Sequence, residues 1–340
     1  MNADRAATIE TGIHVAGLPP DIRVRALDLV ADAPALAAFM GDVNIADGHN
    51  QVLTPEEITI EWRRTPGFEP ARDALILEDA AGIAAHLNVD AQLRDGKVVH
   101  HIEGWVRQDR RRQGIGRALL AWAERHAARN VTERRTPEPD LPQVLGFGVL
   151  ESIPAAMAFA ASTDYTPFRY GFQMWRPLAD PIPDFDLPAG IEMRPVREED
   201  HRKIWDADTE AFLDHFEPRE RDDTDFVATF SFPDLDTSLW RVAWEGDQVA
   251  GSVMNAIFPE ENARTGVKLG WLEHVSVRRA WRGRGVAKAL IASSLRLHRQ
   301  RGLDFAALGV DAGNPTGALA LYEGLGFRPH QKWINHRKPL

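Results

Sequence analysis

The sequence contains no cysteine among its 340 residues. That excludes disulfides, thiolate zinc sites and a cysteine acyl-enzyme, and it fits a reducing compartment. No run approaches the roughly 18 consecutive apolar residues needed to span a bilayer. The opening MNADRAATIETGIHV has neither the apolar core nor the cleavage pattern of a signal peptide. The expected setting is cytoplasmic, with no membrane partner. Positive charge is also scarce: 40 Lys and Arg face 50 Asp and Glu, a formal net charge of −10. That leaves no excess basic surface for nucleic acid. Tyrosine is rare, at three residues, so a tyrosine in a chemically suggestive place carries weight.

What positive charge there is gathers at two loops. WLEHVSV (271–277) reads as a half-buried strand, with Val275 and Val277 alternating with polar neighbours. WRGRGVAKAL (281–290) then supplies Arg282, Gly283, Arg284 and Gly285, and Val286, Leu290 and Leu297 follow at helical spacing. A strand that turns through glycines into a helix leaves first-turn N–H groups unpaired, facing whatever lies in front. Those amides and the positive helix end bind anionic oxygens, phosphates above all. Arg282 and Arg284 are expected to add charge beside them. A Walker loop is excluded because Val286-Ala287, not Lys-Ser/Thr, follows Gly285. The dinucleotide fingerprint fails because Lys288 stands where Gly or Ala is needed. What remains is R-x-x-G-x-A, from Arg282 to Ala287.

The pattern occurs twice. Arg111, Arg112, Gln113, Gly114, Ile115 and Gly116 follow the strand-like HHIEGWV (100–106) and open another periodic helix. The interval, 282 − 111 = 171 residues, is half the chain. IRVRAL (22–27) matches IEMRPV (191–196), EDAAGIAA (78–85) matches EGDQVAGS (245–252), and MWRPL (174–178) matches HRKPL (336–340). A long period seen twice means duplicated domains rather than a solenoid. The expected organisation is a polar leader at 1–20, a first domain at 21–178, a proline-rich linker at 179–190 and a second domain at 191–340. Each half reads β-α-α-β-β-β-α-β-α-β, an α/β fold. In the second, HQKWINHRKPL is expected to close the sheet. NPTGALALYEGLGF (314–327) reads as a helix capped by Asn314, with Pro315 at its first position.

Both halves resemble the GNAT superfamily of N-acetyltransferases, whose coenzyme A pyrophosphate loop carries R-x-x-G-x-G/A. The C-terminal match is the stronger, with V-x-V, R-x-x-G-x-A and N-P-x-x-x-A-x-x-L-Y-x-x-L-G-F in order. The tandem arrangement, with EAFLDHF early in the second half, is similar to the mycothiol synthase-like family of two-domain acetyltransferases. The resemblance implies two tandem GNAT-like domains, each a mixed, mostly antiparallel sheet flanked by helices. It also implies direct transfer of acetyl from acetyl-CoA to a primary amine of a small molecule, with no metal, in a monomer or homodimer.

Val275, Val277, Arg282, Gly283, Arg284, Gly285, Val286, Ala287 and Asn314 would contact coenzyme A, and residues 111–116 would do so in the first half. An aliphatic ammonium, of pKa about 10, must lose a proton before it attacks. Glu273, taken to share the parity of Val275 and Val277, is the expected base. His274 is a lesser candidate assigned to the other face, and Trp271 stands where some family members place the carboxylate. Tyr322, at the L-Y-x-x-L-G-F position, is the expected acid for the departing thiolate. The first half has Ala160 or Ala161 opposite Tyr322, Ile153 opposite Asn314 and Ile102 opposite Glu273, so it is expected to be non-catalytic. The alternatives are a non-catalytic acetyl-CoA-binding or interaction protein, and a related transferase using another acyl-CoA.

Overall fold

The computed structural model describes residues 13–218, 221–233, 235–314 and 317–340. The first half runs β1 (Arg23–Ala26), α1 (Leu29–Ala46), α2 (Pro55–Arg64), α3 (Pro70–Asp73), β2 (Ala74–Asp79), β3 (Gly82–Arg94), β4 (Lys97–Val106), α4 (Ile115–Thr132), β5 (Gln143–Leu150), α5 (Pro154–Ala161) and β6 (Thr166–Pro177). The second runs β7 (Glu192–Arg194), α6 (His201–Phe212), α7 (Asp223–Thr229), β8 (Arg241–Glu245), β9 (Gln248–Ala256), α8 (Pro259–Thr265), β10 (Leu269–Val277), α9 (Val286–Gln300), β11 (Phe305–Asp311), α10 (Ala318–Gly324) and β12 (Arg328–Pro339). The expected order holds in both halves, with one short helix added to each, α3 and α8.

Local chemistry accounts for several boundaries. In α2, Thr54 accepts from the Glu57 amide at 3.2 Å and Glu57 accepts from the Thr54 amide at 2.7 Å, with Pro55 at the first position. That reciprocal cap satisfies two orphan donors. Helix α10 starts later than expected: Gly317, at φ 74°, is its N-cap, so Asn314 is not the cap. Pro315 lies outside the described residues. α1 is long and apolar enough to cross a membrane by composition, but half of that window is buried, with Leu36, Phe39 and Met40 in the core. Part of the leader is ordered too, since Val15 packs into the first core.

All the strands form one sheet, in the order β1-β2-β3-β4-β5-β12-β6-β11-β10-β9-β8-β7. β4–β5 and β10–β11 are parallel, and every other neighbouring pair is antiparallel. The halves exchange their last strands. β12 pairs with β5 of the first half and β6 pairs with β11 of the second. Thus HQKWINHRKPL closes the first half's sheet, and not that of its own half. The cores follow the exchange: Ile334 of β12 packs into the first core and Met174 of β6 into the second.

Candidate active site

The groove arises where parallel strands part. β10 and β11 pair from Leu269 to Trp271 and then separate, and β4 and β5 pair from Val98 to His101 and then separate. Beyond those points one edge of each central strand is open beside its loop.

The loops are built alike. Gly285, at φ 90°, is the N-cap of α9, and Gly114, at φ 86°, is the N-cap of α4; neither helix has a side-chain cap. Their first-turn amides therefore remain available to an anion. Gly283 (φ 73°) matches Arg112 (φ 64°), a second left-handed residue in each loop. A Cβ at Gly285 would meet nothing within 4 Å, so the positive φ and the open front, rather than packing, call for glycine. Arg282 also has a structural part that was not expected. Its Nε donates to Val277 O at 2.9 Å and its Nη1 to Asp214 at 2.6 Å. Arg111 does the same with Val106 O at 2.9 Å and Asp47 at 2.7 and 2.6 Å. These guanidiniums tie strand end, loop and neighbouring helix together. Arg284, paired with Glu245 at 3.1 Å on the surface, keeps an exposed charge at the loop.

A β-bulge decides which side chains enter the second groove. On β9, Asn255 pairs with Leu272 and Met254 with His274, so Glu273 is an extra residue. β4 has no such break against β3. The internal repeat records the insertion: parallel pairing ends at His101 and Trp271, 170 residues apart, whereas Arg111 and Arg282 are 171 apart. Two expectations change. Leu272, Val275 and Val277 pack with the α9-side core, whereas His274 meets Asp208 and Phe212 of α6. Glu273 therefore does not share the face of Val275 and Val277, and His274 is not on the opposite face from Glu273. The bulge sets both toward α6. Ile102 corresponds to Leu272 rather than to Glu273, and the register sets Glu103 at the place of His274, with Glu273 the inserted residue beside it. Ile102 is buried, as Leu272 is.

Glu273 is solvent-accessible yet walled by protein, and that desolvation raises its carboxyl pKa against the lowering influence of His274. Asp208 is buried; it accepts from His274 Nδ1 at 2.8 Å and from Arg221 Nη1 at 2.9 Å. Nothing in the motif pointed to Asp208. The available signal was a carboxylate on the same helical stripe as Ile204 and Ala211. Trp271 donates from Nε1 to Glu261 of α8 at 3.0 Å, so a carboxylate stands behind Trp271. Burial pushes the Glu261 carboxyl up to about 7. Tyr322 is buried, edge-on to Phe327 at 6.1 Å, and burial raises its phenol to about 12. It is protonated across the physiological range and can donate.

The first half keeps the cradle and has a carboxylate of its own, Glu103, but lacks a counterpart of the Tyr322 phenol. Buried Ala160 is followed five residues on by buried Tyr165, as buried Tyr322 is by buried Phe327. Ala160 therefore holds the place of Tyr322. A cleft of about 1460 Å³ runs from Arg112 and residues 114–117 past Glu103, Trp62 and Trp105 to Trp333 on the exchanged strand. Glu103 accepts from Asn88 at 3.3 Å, and burial raises its carboxyl pKa.

A duplicated sheet that splays beside a helix-capping glycine loop in each half defines a tandem acyl-CoA-dependent transferase. The Acetyltransferase (GNAT) family profile matches residues 48–137 and 201–327, and the chain belongs to that family. It is 31% identical over 312 residues to the mycothiol acetyltransferase of Salinispora arenicola, covering 91% of this chain and 93% of that one. To the mycothiol acetyltransferase of Salinispora tropica it is 32% identical over 314 residues, covering 91% and 92%. Among solved structures, a GCN5-related N-acetyltransferase from Sphaerobacter thermophilus superposes with a TM-score of 0.69 at 27% identity, covering 95% of this chain and 96% of that one. A tandem GNAT protein from the clavulanic acid biosynthesis pathway shares the fold, with a TM-score of 0.64 at 18% identity over 94% of this chain and 98% of that one. The protein is an acetyl-CoA-dependent N-acetyltransferase of tandem GNAT architecture that acts on a small-molecule amine.

Proposed function

We propose that the second-half groove transfers acetyl to the free amine of deacetylated mycothiol, and that the first half binds coenzyme A without turning over. The observation that supports the reading is the Gly285 cradle beside the splayed β10–β11 edge, with Glu273 on β10 and Tyr322 on α10 of the same half, while Ala160 stands at the place of Tyr322 in the first half. The acceptor follows from relatives aligned along almost the full length of both chains. When bound, acetyl-CoA supplies the thioester. The α9 amides hold its diphosphate, Glu273 accepts a proton from the amine, and Tyr322 hydrogen-bonds the departing sulfur. Acid–base groups of this kind contribute about 10²- to 10⁴-fold each.

The test is mass spectrometry of a reaction with acetyl-CoA and deacetylated mycothiol, following gain of one acetyl group. Gly285→Asp, which sets a carboxylate at the cradle, is expected to abolish product, and Gly114→Asp to leave kcat within about threefold. Product lost from Gly114→Asp alone would move the active site to the first half. A wild-type enzyme that leaves this amine unmodified while acetylating other small amines would refute the acceptor.

A further inference from the structure

The bulge at Glu273 sets two proton acceptors side by side. An alkylammonium that ends as an amide sheds two protons, and the departing thiolate takes up one. A lone carboxylate would have to be emptied partway through each turnover. His274 is its neighbour on the same face, and its side chain is 34% exposed. Donation from Nδ1 to Asp208 at 2.8 Å fixes the tautomer whose lone pair is on Nε2. Asp208 sits on the buried stripe of α6 between Ile204 and Ala211, where an apolar residue is expected. Its Oδ1 has no hydrogen-bond partner among the described residues. A buried carboxylate so incompletely satisfied is costly, and what it does here is orient an imidazole at the groove. Phe212 supports that ring at 4.9 Å.

We propose that His274 is a catalytic residue of the acetyl transfer, accepting one of the two ammonium protons at Nε2, with Asp208 as its positioning residue. The assignment rests on the second-half active site proposed above. The acceptor ammonium gives a proton to neutral His274, forming an imidazolium beside the Asp208 carboxylate. The freed nitrogen pair forms the N–C bond to the thioester carbon, and the carbonyl π pair moves onto oxygen. Collapse restores the carbonyl and breaks the C–S bond. The nitrogen's second proton passes to Glu273, and the thiolate takes one from Tyr322, which regains it from water. His274 and Glu273 then return two protons to solvent, a net release of one per turnover.

The charged and titratable groups around His274 are Asp208 on α6, His215 in the following loop, Arg221 before α7 and Glu273 beside it on β10. Burial opposes the imidazolium, but the charge and hydrogen bond of Asp208 outweigh it and raise His274 above its ordinary value. Wild-type kcat/KM should therefore fall about tenfold per pH unit below that raised value, since only neutral His274 accepts.

The experiment compares kcat/KM against pH for wild type, His274→Gln, Asp208→Asn, Glu273→Gln and Tyr322→Phe, with acetyl-CoA and deacetylated mycothiol. Thermal melts and acetyl-CoA titration verify folding. The expected result is that His274→Gln loses about 10²-fold or more and its acid limb disappears. Asp208→Asn keeps a limb but moves it to lower pH. Nitrogen-15 shifts of the imidazole should show Nδ1–H in wild type and a lower pKa in Asp208→Asn. His274→Gln within about threefold of wild type with the limb intact, while Glu273→Gln or Tyr322→Phe is crippled, overturns the proposal and leaves the site standing. If all of these variants turn over normally, the second-half site itself falls.

Discussion

Glu261 is the most sharply testable carboxyl in the molecule. It is 4% exposed, accepts from Trp271 Nε1 at 3.0 Å and from Asn50 Nδ2 at 3.4 Å, and lies in the field of Glu273 and Glu57. Burial raises its pKa from 4.5 to about 7. Between those values the folded protein holds a proton that the unfolded chain has released, so this group's effect on stability turns unfavourable as pH rises. Below 4.5 both states are protonated and nothing is lost; above 7 both are ionised and the loss is complete. The difference of 2.5 units corresponds to about 3 kcal/mol at 1.36 kcal/mol per unit. Glu261→Gln keeps an acceptor oxygen for Trp271 and Asn50 and removes the titration. Urea denaturation followed by tryptophan fluorescence should therefore find its stability relative to wild type rising by about 3 kcal/mol between pH 4.5 and 8. An unchanged difference across that range would mean that Glu261 ionises freely in the folded protein and would refute the reasoning.

Three further outcomes are expected. Tyr322→Phe retains the ring against Phe327 and should leave acetyl-CoA affinity unchanged by calorimetry, while kcat falls about 10²-fold; a fall of less than about threefold removes Tyr322 from the chemistry. Gly285→Asp places a carboxylate at the uncapped start of α9 and should raise the Kd for acetyl-CoA at the second site about tenfold or more, a cost of about 1.4 kcal/mol. Gly171→Ala would bring a Cβ within 2.6 Å of Val310 O and into the Trp333 ring, so it should cost roughly 1–3 kcal/mol in denaturation. Gly309→Ala, with Trp333 at 3.8 Å from the new Cβ, should cost far less, and equal effects would contradict the placing of β6 between β11 and β12.

The loops were legible because a glycine that caps a helix at positive φ leaves a local mark, and the duplication printed that mark twice. The order of elements was legible for the same reason: periodicity and caps such as Thr54-Pro55 are local. The bulge at Glu273 was not, since one inserted residue carries no punctuation of its own. Its trace was a repeat interval that changes from 170 to 171 between two anchors. Reading parity straight through the insertion sent Glu273 to the wrong face and matched it with Ile102. Asp208 was unreadable because one acidic residue in a mixed helix resembles a solvated one until the buried stripe is known. The ties of the Arg282 guanidinium to Val277 O and Asp214 were not legible, because both acceptors lie outside the loop motif.

The strand exchange explains why a first half without an acid would be kept. β6 and β12 end in similar sequences, MWRPL and HRKPL, and no local signal says which sheet each joins. β12 aligns seven residue pairs with β5 and nine with β6, both strands of the first half of the chain, and pairs with no strand of its own half. Only three residues separate the end of α10 from the start of β12. The direction in which α10 leaves the second core, and with it the placement of Tyr322, is therefore set by a strand anchored in the first half's sheet. β6 supplies the matching wall: Arg176, buried, donates to Leu325 O at 2.8 Å just after α10. A first half without chemistry of its own would still be required to hold Tyr322 in place. Selection on the second site is then enough to preserve both.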